Sequence, residues 1–230
     1  VELGILGKDK GYFPRFINRI TFPIHSNTGK CIGFGGRTID NHPAKYINSP
    51  QSKVFNKSRL FYGADIARDT IYKKKEMIVC EGYMDVIMLH QGGFENAIAT
   101  LGTALTTDHI PLLKKYDSRV ILAYDGDKAG VDAAFRASLL LAKAGTQGGV
   151  VIFADGLDPA DMIVSKRGDE LSSLFSRPKP FSEFVLDAII SKYDLSSPEQ
   201  KNRGYEEAKS FLSTLSPFLA QEYKEYLSSI

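Results

Sequence analysis

The sequence has few of the residues that build disulfide-linked, zinc-binding or membrane-spanning proteins. Its two cysteines, Cys31 and Cys80, lie far apart and form no Cys-x-x-Cys pair. This excludes a disulfide scaffold and gives no support to a zinc knuckle. No run of 18 apolar residues occurs, so no membrane span is predicted. With 43% hydrophobic residues among 230, the chain has enough apolar material for one large or two modest domains, which excludes a disordered protein.

Several enzyme signatures are also missing. The four histidines, at positions 25, 42, 90 and 109, show no metal-ligand spacing, and no Gly-x-Ser-x-Gly nucleophile elbow is present. The glycine-rich stretch Gly33–Arg37 is not a P-loop or a dinucleotide fingerprint, because no Gly-Lys-Ser/Thr follows and no helix is predicted to open there. A strand bulge or a close approach of two segments is expected at Gly33–Arg37 instead.

No targeting signal is predicted from the first residues of the sequence. Residue 1 is Val rather than Met, and no charged region followed by an apolar stretch precedes the first strand signals. A piece of a longer chain is therefore expected. The low cysteine content predicts a reducing, cytosolic setting.

Charge is divided unevenly along the chain. Residues 1–63 contain ten Lys and Arg against three acidic residues, a net charge of +7, and the remainder carries −5. Such a division suggests a surface for a polyanion on one side and metal-binding carboxylates on the other. On charge alone, an unevenly charged, solvated surface is the better explanation.

Residues 1–70 are predicted to form a basic mixed α+β subdomain. The apolar runs Ile20–Ile24 and Cys31–Phe34 flank Asn27-Thr28-Gly29, a pattern that predicts a β-hairpin. Pro43 and Pro50 interrupt regular structure, so the segment that they bound is expected to be irregular or an edge strand. Few helices are expected before residue 64.

Residues 71–168 alternate short apolar runs with helical periods. The runs are Met77–Cys80, Ala97–Thr100, Val120–Tyr124 and Val150–Phe153. Three helices are predicted between these runs. The first extends through His90, the second runs from Thr107 to Tyr116, and the third runs from Val131 to Ala144. Pro111 sits late for a first helical turn, so that helix is expected to be bent or to start later. The alternation predicts an α/β fold with right-handed βαβ units and a mostly parallel sheet flanked by helices.

Residues 169–230 lack strand signals and are predicted to form a helical subdomain. Apolar residues within 181–189 follow the stripe of one amphipathic helix. Ser197-Pro198, with Gln200 behind it, predicts an N-cap and the start of a second helix. Ser216-Pro217 predicts the start of a third.

Acidic residues follow three of the predicted parallel strands. They are Glu81 after the first strand, Asp125 and Asp127 after the third, and Asp155, Asp158 and Asp161 after the last. Ligands bind at the carboxyl ends of strands in open parallel sheets, so a carboxylate cluster is expected there. A backbone extended through Gly126 would point Asp125 and Asp127 to the same side. Any one of these acids alone is better explained as a turn residue or a helix cap, but together they predict an oxygen-ligated Mg²⁺ site in which Mn²⁺ substitutes.

A set of short motifs also occurs in a fixed order between Arg15 and Asp161. They are Gly33–Arg37, Lys45–Pro50, Phe55–Lys57, Tyr62-Gly63, Glu81–Asp85, Gly102-Thr103, Tyr124–Gly130 and Asp158-Pro159. The first four resemble the basic subdomain, and the last four the Toprim motifs, of the RNA polymerase core of bacterial DnaG-type replicative primases. The last motif departs from the family pattern, in which two acids are often separated by one residue. Here Asp158 is followed by Pro159 and Ala160, and the next acid is Asp161. Either Asp158 or Asp161 can therefore complete the site.

The resemblance implies template-directed synthesis of short RNA primers on single-stranded DNA from ribonucleoside triphosphates. Glu81, Asp125 and Asp127 are expected to be catalytic. The expected metal ligands are Glu81, Asp125, Asp127, Asp158 and Asp161, with Glu81 either a ligand or the proton acceptor. The residues expected to bind nucleic acid or nucleotide are Arg19, Arg37, Lys45, Asn48 and Lys57.

The expected partners are the DNA template, ribonucleoside triphosphates, an RNA–DNA hybrid and a replicative helicase at cytoplasmic, nucleoid-associated replication forks. The helicase-binding module and a zinc-binding module are both expected outside this chain. Two alternatives stay open: another Toprim phosphotransfer enzyme, such as a topoisomerase or nuclease, and a Toprim module that binds DNA without catalysis. Short RNA products on single-stranded DNA would distinguish the primase from both.

Overall fold

The basic part of the chain is built from two small antiparallel sheets. The computed structural model describes residues 3–229, with the backbone alone of Asp155 and Ser229. The first sheet pairs β1 (Leu6–Lys8) with β2 (Tyr12–Pro14). The second has the order β3 (Arg19–His25), β4 (Cys31–Thr38) and β5 (Tyr46–Asn48).

The local predictions for this part are confirmed. The hairpin is β3 and β4, and Gly29 in the connecting turn has a left-handed backbone with φ of 76°. β5 is an edge strand. Between residues 3 and 63 the structure contains one 3-10 turn, Lys57–Arg59, and no α-helix.

The second part of the chain is organised on a five-stranded, mostly parallel sheet of order β10-β9-β8-β6-β7. β6 (Glu76–Cys80), β7 (Ala97–Ala99), β8 (Arg119–Tyr124) and β9 (Gly148–Ile152) are parallel, as predicted. β10 (Lys179–Pro180) pairs antiparallel with β9, which corrects the expectation that no strand follows residue 169. Two residues are too few to show a strand period, so pairing with the edge of β9 decides their conformation.

Helices flank this sheet and continue beyond it. They are α1 (Ala64–Lys74), α2 (Tyr83–Gln91), α3 (Ile110–Lys115), α4 (Lys128–Lys143), α5 (Pro159–Val164), α6 (Gly168–Ser176), α7 (Phe181–Ile190), α8 (Pro198–Leu212) and α9 (Pro217–Ser229). α3 follows a 3-10 turn and carries Pro111 in its first turn, so the later start is confirmed. α1, α5 and α6 were not predicted. The predicted boundary at residue 70 falls inside α1, whose buried Ala64, Ala67 and Ile71 belong to the core of the parallel sheet.

The sheet separates two apolar cores, because successive strand residues face opposite sides. One core contains Met77, Val79, Val120 and Leu122 together with residues of α1, α4, α7 and α8. The other contains Ile78, Cys80, Ile121 and Ala123 together with residues of α2, α5 and α6. Burial on both faces explains why these strands read as unbroken apolar runs in the sequence.

Tyr83, the first residue of α2, joins the antiparallel sheet to the parallel one. Its ring stacks on Phe22 of β3 with a centroid distance of 5.1 Å. A Cβ at position 35 would lie 2.4 Å from the Tyr83 ring, so this close approach requires glycine. The Tyr83 hydroxyl donates a hydrogen bond to Asn48 of β5. The expected close approach at Gly33–Arg37 is therefore confirmed.

Gly126 lies where the chain leaves β8, and replacing it with alanine should destabilise the fold. A Cβ at this position would lie 1.8 Å from the carbonyl oxygen of Phe153. We expect Gly126→Ala to lower the free energy of unfolding by about 1–3 kcal/mol. The control is Gly168→Ala, where a Cβ meets no atom within 4 Å and helix propensity favours alanine. Chemical denaturation measures both, and wild-type stability of Gly126→Ala would contradict the packing described here.

Candidate active site

The carboxyl ends of β6 and β8 contribute to a cavity of about 530 Å³, called here the acidic cavity. Glu81 follows β6 directly and Asp125 follows β8, as predicted from the sequence. The other lining residues used below are Arg37, Lys45, Tyr46, Asp85, Asp158 and Asp161. The cavity thus joins five carboxylates of the parallel-sheet part to two cations of the antiparallel sheet.

Helix starts fix several of these carboxylates. The backbone amide of Gly82 donates to Oδ2 of Asp85 over 3.0 Å at the start of α2. At the start of α5, the amide of Asp161 donates to Asp158 over 2.7 Å and the amide of Asp158 donates to Asp161 over 3.3 Å. The Asp158–Asp161 pair is a capping box, in which each side chain is oriented by the backbone of the other.

Burial and mutual repulsion raise the pKa of two of the cavity carboxyl groups, those of Asp85 and Asp125. Burial raises the pKa of Asp85 to about 7, with contributions from the charges of Asp158 and Asp125. Burial also raises the pKa of Asp125 to about 6, and the charges of Asp158 and Asp127 add to the shift. These carboxylates would be stabilised by a cation, because a cation favours their charged forms.

Glu81 differs from the other carboxylates of the acidic cavity in its buried oxygen, which has no hydrogen-bond partner in the part of the chain that the structure describes. Burial, followed by the charge of Asp125, raises the pKa of its carboxyl group. Its Oε1 atom is buried and has no hydrogen-bond partner among the described residues. A buried oxygen without a partner is costly in a folded protein, which indicates that a ligand, water or ion completes its environment.

Asp127 does not line the acidic cavity. Its exposed side chain caps α4, accepting a hydrogen bond of 2.7 Å from the amide of Gly130. Its charge still raises the pKa of both Asp125 and Glu81. The side chain of Asp155, the remaining strand-end acid, is outside the described part of the structure.

Three of the predicted basic residues surround one loop of the antiparallel sheet. Arg37 lies over the ring of Tyr46 at 5.7 Å, and the charge of Lys45 lowers the pKa of Asp125. Arg19 donates to the backbone carbonyls of Gly36, Ala44 and Lys45 over 2.8–3.3 Å. Arg19 therefore holds the segment that carries Lys45, whereas Arg37 and Lys45 themselves line the cavity.

The two other predicted binding residues are not in the lining of the acidic cavity. Asn48 donates to the carbonyl of Leu101 over 2.9 Å and accepts from Tyr83, so its amide joins the two sheets. Lys57 lies in the 3-10 turn, where its backbone carbonyl is 3.2 Å from Nε2 of His109.

Sequence reasoning missed Asp85 and Tyr46 as cavity residues. Asp85 was visible in the Glu81–Asp85 motif, and its spacing from Gly82 is that of a capping box. Its 7% exposure depends on the packing of α2, which the sequence alone does not give. Tyr46 had no local signal, because its contact with Arg37 comes from the pairing of β4 with β5.

The donor set of the acidic cavity fits a hard cation. All five acidic side chains offer oxygen, and Glu81 presents an oxygen that has no other partner. Among the side chains that the structure describes, no three Asp, Glu, His or Cys stand close enough together to hold one ion. Some divalent cations are commonly held by one or two carboxylates, with water and substrate phosphates as further ligands.

None of the helices that the structure describes combines the length and apolar character needed to span a membrane.

Family comparisons agree with the order of these parts. The model for the N-terminal domain of the DNA primase catalytic core matches residues 1–68, and a Toprim-like model matches residues 78–163. The Toprim family implies use of a divalent metal. A model for the DnaB-helicase binding domain of primase matches residues 182–230. The expectation that the helicase-binding module lies outside this chain is therefore wrong, and the helices of this region gave no local signal for a helicase partner.

Individual relatives give the same result. The chain is 52% identical over 233 residues to a DNA primase of Helicobacter pylori strain 26695, covering 100% of this chain and 42% of that protein. It is 40% identical over 228 residues to a DNA primase of Escherichia coli K12, covering 96% of this chain and 38% of that protein. The chain thus spans less than half the length of these two relatives.

This chain covers a larger share of several related proteins of known structure. A DNA primase domain from Pseudomonas aeruginosa is 31% identical, with a TM-score of 0.90 over 99% of this chain and 74% of that one. A DnaG primase catalytic domain bound to single-stranded DNA is 34% identical, with a TM-score of 0.90 over 99% of this chain and 73% of that one. From sequence identity and fold together, the chain belongs to the family of bacterial DnaG-type DNA primase catalytic cores.

Proposed function

We propose that this chain synthesises short RNA primers on single-stranded DNA from ribonucleoside triphosphates, as a nucleotidyltransferase. The observation that carries the proposal is the acidic cavity, in which carboxylates and the cations Arg37 and Lys45 line one space. Transfer of a nucleotidyl group depends on placing phosphates and neutralising their charge, and it needs no covalent enzyme nucleophile. The related catalytic domain that was solved with single-stranded DNA supports the choice of template.

The proposed cofactor is Mg²⁺, which Mn²⁺ can replace. Asp125 and Asp158 would hold it, with water and substrate phosphates as further ligands and with Asp127 nearby. When bound, such an ion stabilises the charge of the transferred phosphate and of the attacking oxygen. Asp158 is favoured over Asp161, because its charge has the larger effect on the pKa of Asp125. No zinc is assigned to this chain, since Cys31 and Cys80 are distant in sequence and Cys80 is buried.

In the proposed reaction, Arg37 and Lys45 hold phosphates of the template or of the incoming nucleotide. The 3′-oxygen of the acceptor forms a bond to the α-phosphorus, and pyrophosphate leaves with the electron pair of the bond that breaks. The proton of the attacking hydroxyl passes to Oε1 of Glu81, which is left without a partner and whose raised pKa suits a proton acceptor. Arg19 acts as a positioning residue through the backbone of Lys45. Asn48 and Lys57 are proposed to contact the template or the RNA–DNA hybrid.

We propose that the functions of the chain are divided among three parts, residues 1–70, 71–168 and 169–230. The matches to residues 1–68, 78–163 and 182–230 support this division. The last part is proposed to contribute to binding of a replicative helicase. An enzyme with these partners would work in the cytoplasm, at replication forks of the nucleoid.

Neutralising the carboxylates should abolish primer synthesis. The double variant Asp125→Asn, Asp127→Asn and the single variant Glu81→Gln should each lower synthesis by a factor on the order of 100 or more. Asn keeps the N-cap of α4, so the fold should survive. The assay measures labelled RNA made on single-stranded DNA with Mg²⁺, and Asp132→Asn, an exposed acid on α4, is the control. Wild-type turnover by the double variant would refute the proposed metal site.

Asp85 should make the metal-free protein less stable as pH rises. Its folded-state pKa of about 7 lies above the ordinary value of about 3.9, so the protonated form favours the fold. The associated stability is present at low pH and is lost as pH rises through 7. Between pH 5 and 8, Asp85→Asn should gain about 1–3 kcal/mol relative to the wild type in EDTA, measured by urea unfolding. Asp132→Asn should show no such gain, and a constant difference for Asp85→Asn would contradict the raised pKa.

Replacing basic residues should change how binding to DNA depends on salt. Each lost phosphate contact on a single strand should flatten the slope of log K against log[salt] by roughly 0.7. We expect this for Arg37→Ala, Lys45→Ala and Lys57→Ala, measured by fluorescence anisotropy on single-stranded DNA. Lys143→Ala, an exposed cation near the end of α4, is the control. An unchanged slope for the variant that combines all three substitutions would show that the basic part of the chain does not bind the nucleic acid.

A further inference from the structure

A second cavity shares Glu81 with the acidic cavity. It has a volume of about 310 Å³ and is called here the α4 cavity. The lining residues that matter below are Glu81, Gly102, Thr103, Ala129, Ala133 and Arg136. Glu81 thus contributes to the walls of two neighbouring spaces.

The α4 cavity differs in charge from the acidic cavity. Its charged lining residues are Glu81 and Arg136, whereas five carboxylates line the acidic cavity. Ala129, Ala133 and Arg136 are spaced i, i+4 and i+7, which places them on one face of α4. The two alanines leave space, and the exposed Arg136 makes no ion pair with the residues that the structure describes.

Two lining residues have buried polar atoms without partners. They are Glu81, through Oε1, and Thr103, through its hydroxyl Oγ1. Buried hydroxyl and carboxylate oxygens are normally hydrogen-bonded, so two such atoms around one cavity indicate that water or a polar ligand occupies it. A ligand that offers a hydroxyl to Glu81 and a phosphate to Arg136 matches this lining.

We infer that the α4 cavity binds the acceptor ribonucleotide, the residue whose free 3′-hydroxyl attacks the incoming triphosphate. The inference rests on the proposed function, which places that triphosphate in the acidic cavity. Arg136 would pair with the acceptor phosphate and Thr103 would donate its hydroxyl to the same nucleotide. Because Glu81 belongs to both walls, its Oε1 is available to the acceptor hydroxyl. The volume lies at the lower end of the range for small-molecule sites, about 300–1,000 Å³, which suits a single nucleotide.

The experiment extends a ribodinucleotide on a complementary single-stranded DNA template and measures two KM values. Arg136→Gln and Thr103→Val should each raise the KM for the dinucleotide about tenfold, as expected for loss of one hydrogen bond to a ligand. The KM for the incoming ribonucleoside triphosphate should change less than about twofold. Thr103→Ser, which keeps the hydroxyl, should behave like the wild type. Lys143→Gln, on the same helix and outside the cavity lining, is the matched control.

A binding measurement separates this inference from the proposed function. The Kd of the ribodinucleotide for the template-bound chain is measured by calorimetry without triphosphate. If the wild type makes no RNA but Arg136→Gln and Thr103→Val both weaken this binding about tenfold, the proposed function fails and the acceptor site stands. If the wild type does not bind the dinucleotide, or binds it no better than both variants, the acceptor site is refuted. A selective rise in the triphosphate KM would also refute it, because the cavity would then hold the incoming nucleotide.

Discussion

The contact of Tyr83 with the antiparallel sheet is the interaction on which the site depends. Tyr83 lies two residues after Glu81, so its stacking on Phe22 and its bond to Asn48 fix the start of α2 against β3 and β5. The absence of a side chain at Gly35 makes the contact possible. This docking brings the cations of the antiparallel sheet to the carboxylates of the parallel sheet. A larger residue at position 35 would separate the two halves of the acidic cavity.

The carboxylates are held together against their own repulsion. The pKa values of Asp85 and Asp125, about 7 and about 6, show that burial and like charges disfavour their ionised forms. Two apolar cores, one on each face of the parallel sheet, stabilise the scaffold on which this unfavourable cluster is built. A bound cation would remove most of the repulsion. The carboxylates proposed for catalysis therefore destabilise the metal-free protein, and this cost falls when a cation and phosphates occupy the cavity.

Helix capping and ligand binding are compatible roles for these acids. Asp85, Asp127 and Asp158 each accept a backbone amide at a helix start, as a single strand-end acid would be expected to do. A carboxylate has two oxygens, and a cap uses one of them. The cap orients the side chain, which leaves the second oxygen for a cation. Helix capping thus orients these side chains, and one carboxylate can both cap a helix and bind a ligand.

The sequence by itself determined the elements that depend on local pattern. The hairpin of β3 and β4, the parallel strands β6 to β9, the N-cap at Ser197 and the position of Glu81 and Asp125 at strand ends all follow from periods and turn signals within a few residues. Only the tertiary structure decided the burial of Asp85, the internal bonds of Arg19 and Asn48, the pairing of β10 and the two cavities that share Glu81. Those features join residues distant in the chain. Their energies depend on burial and on neighbours from other elements, which no local pattern encodes.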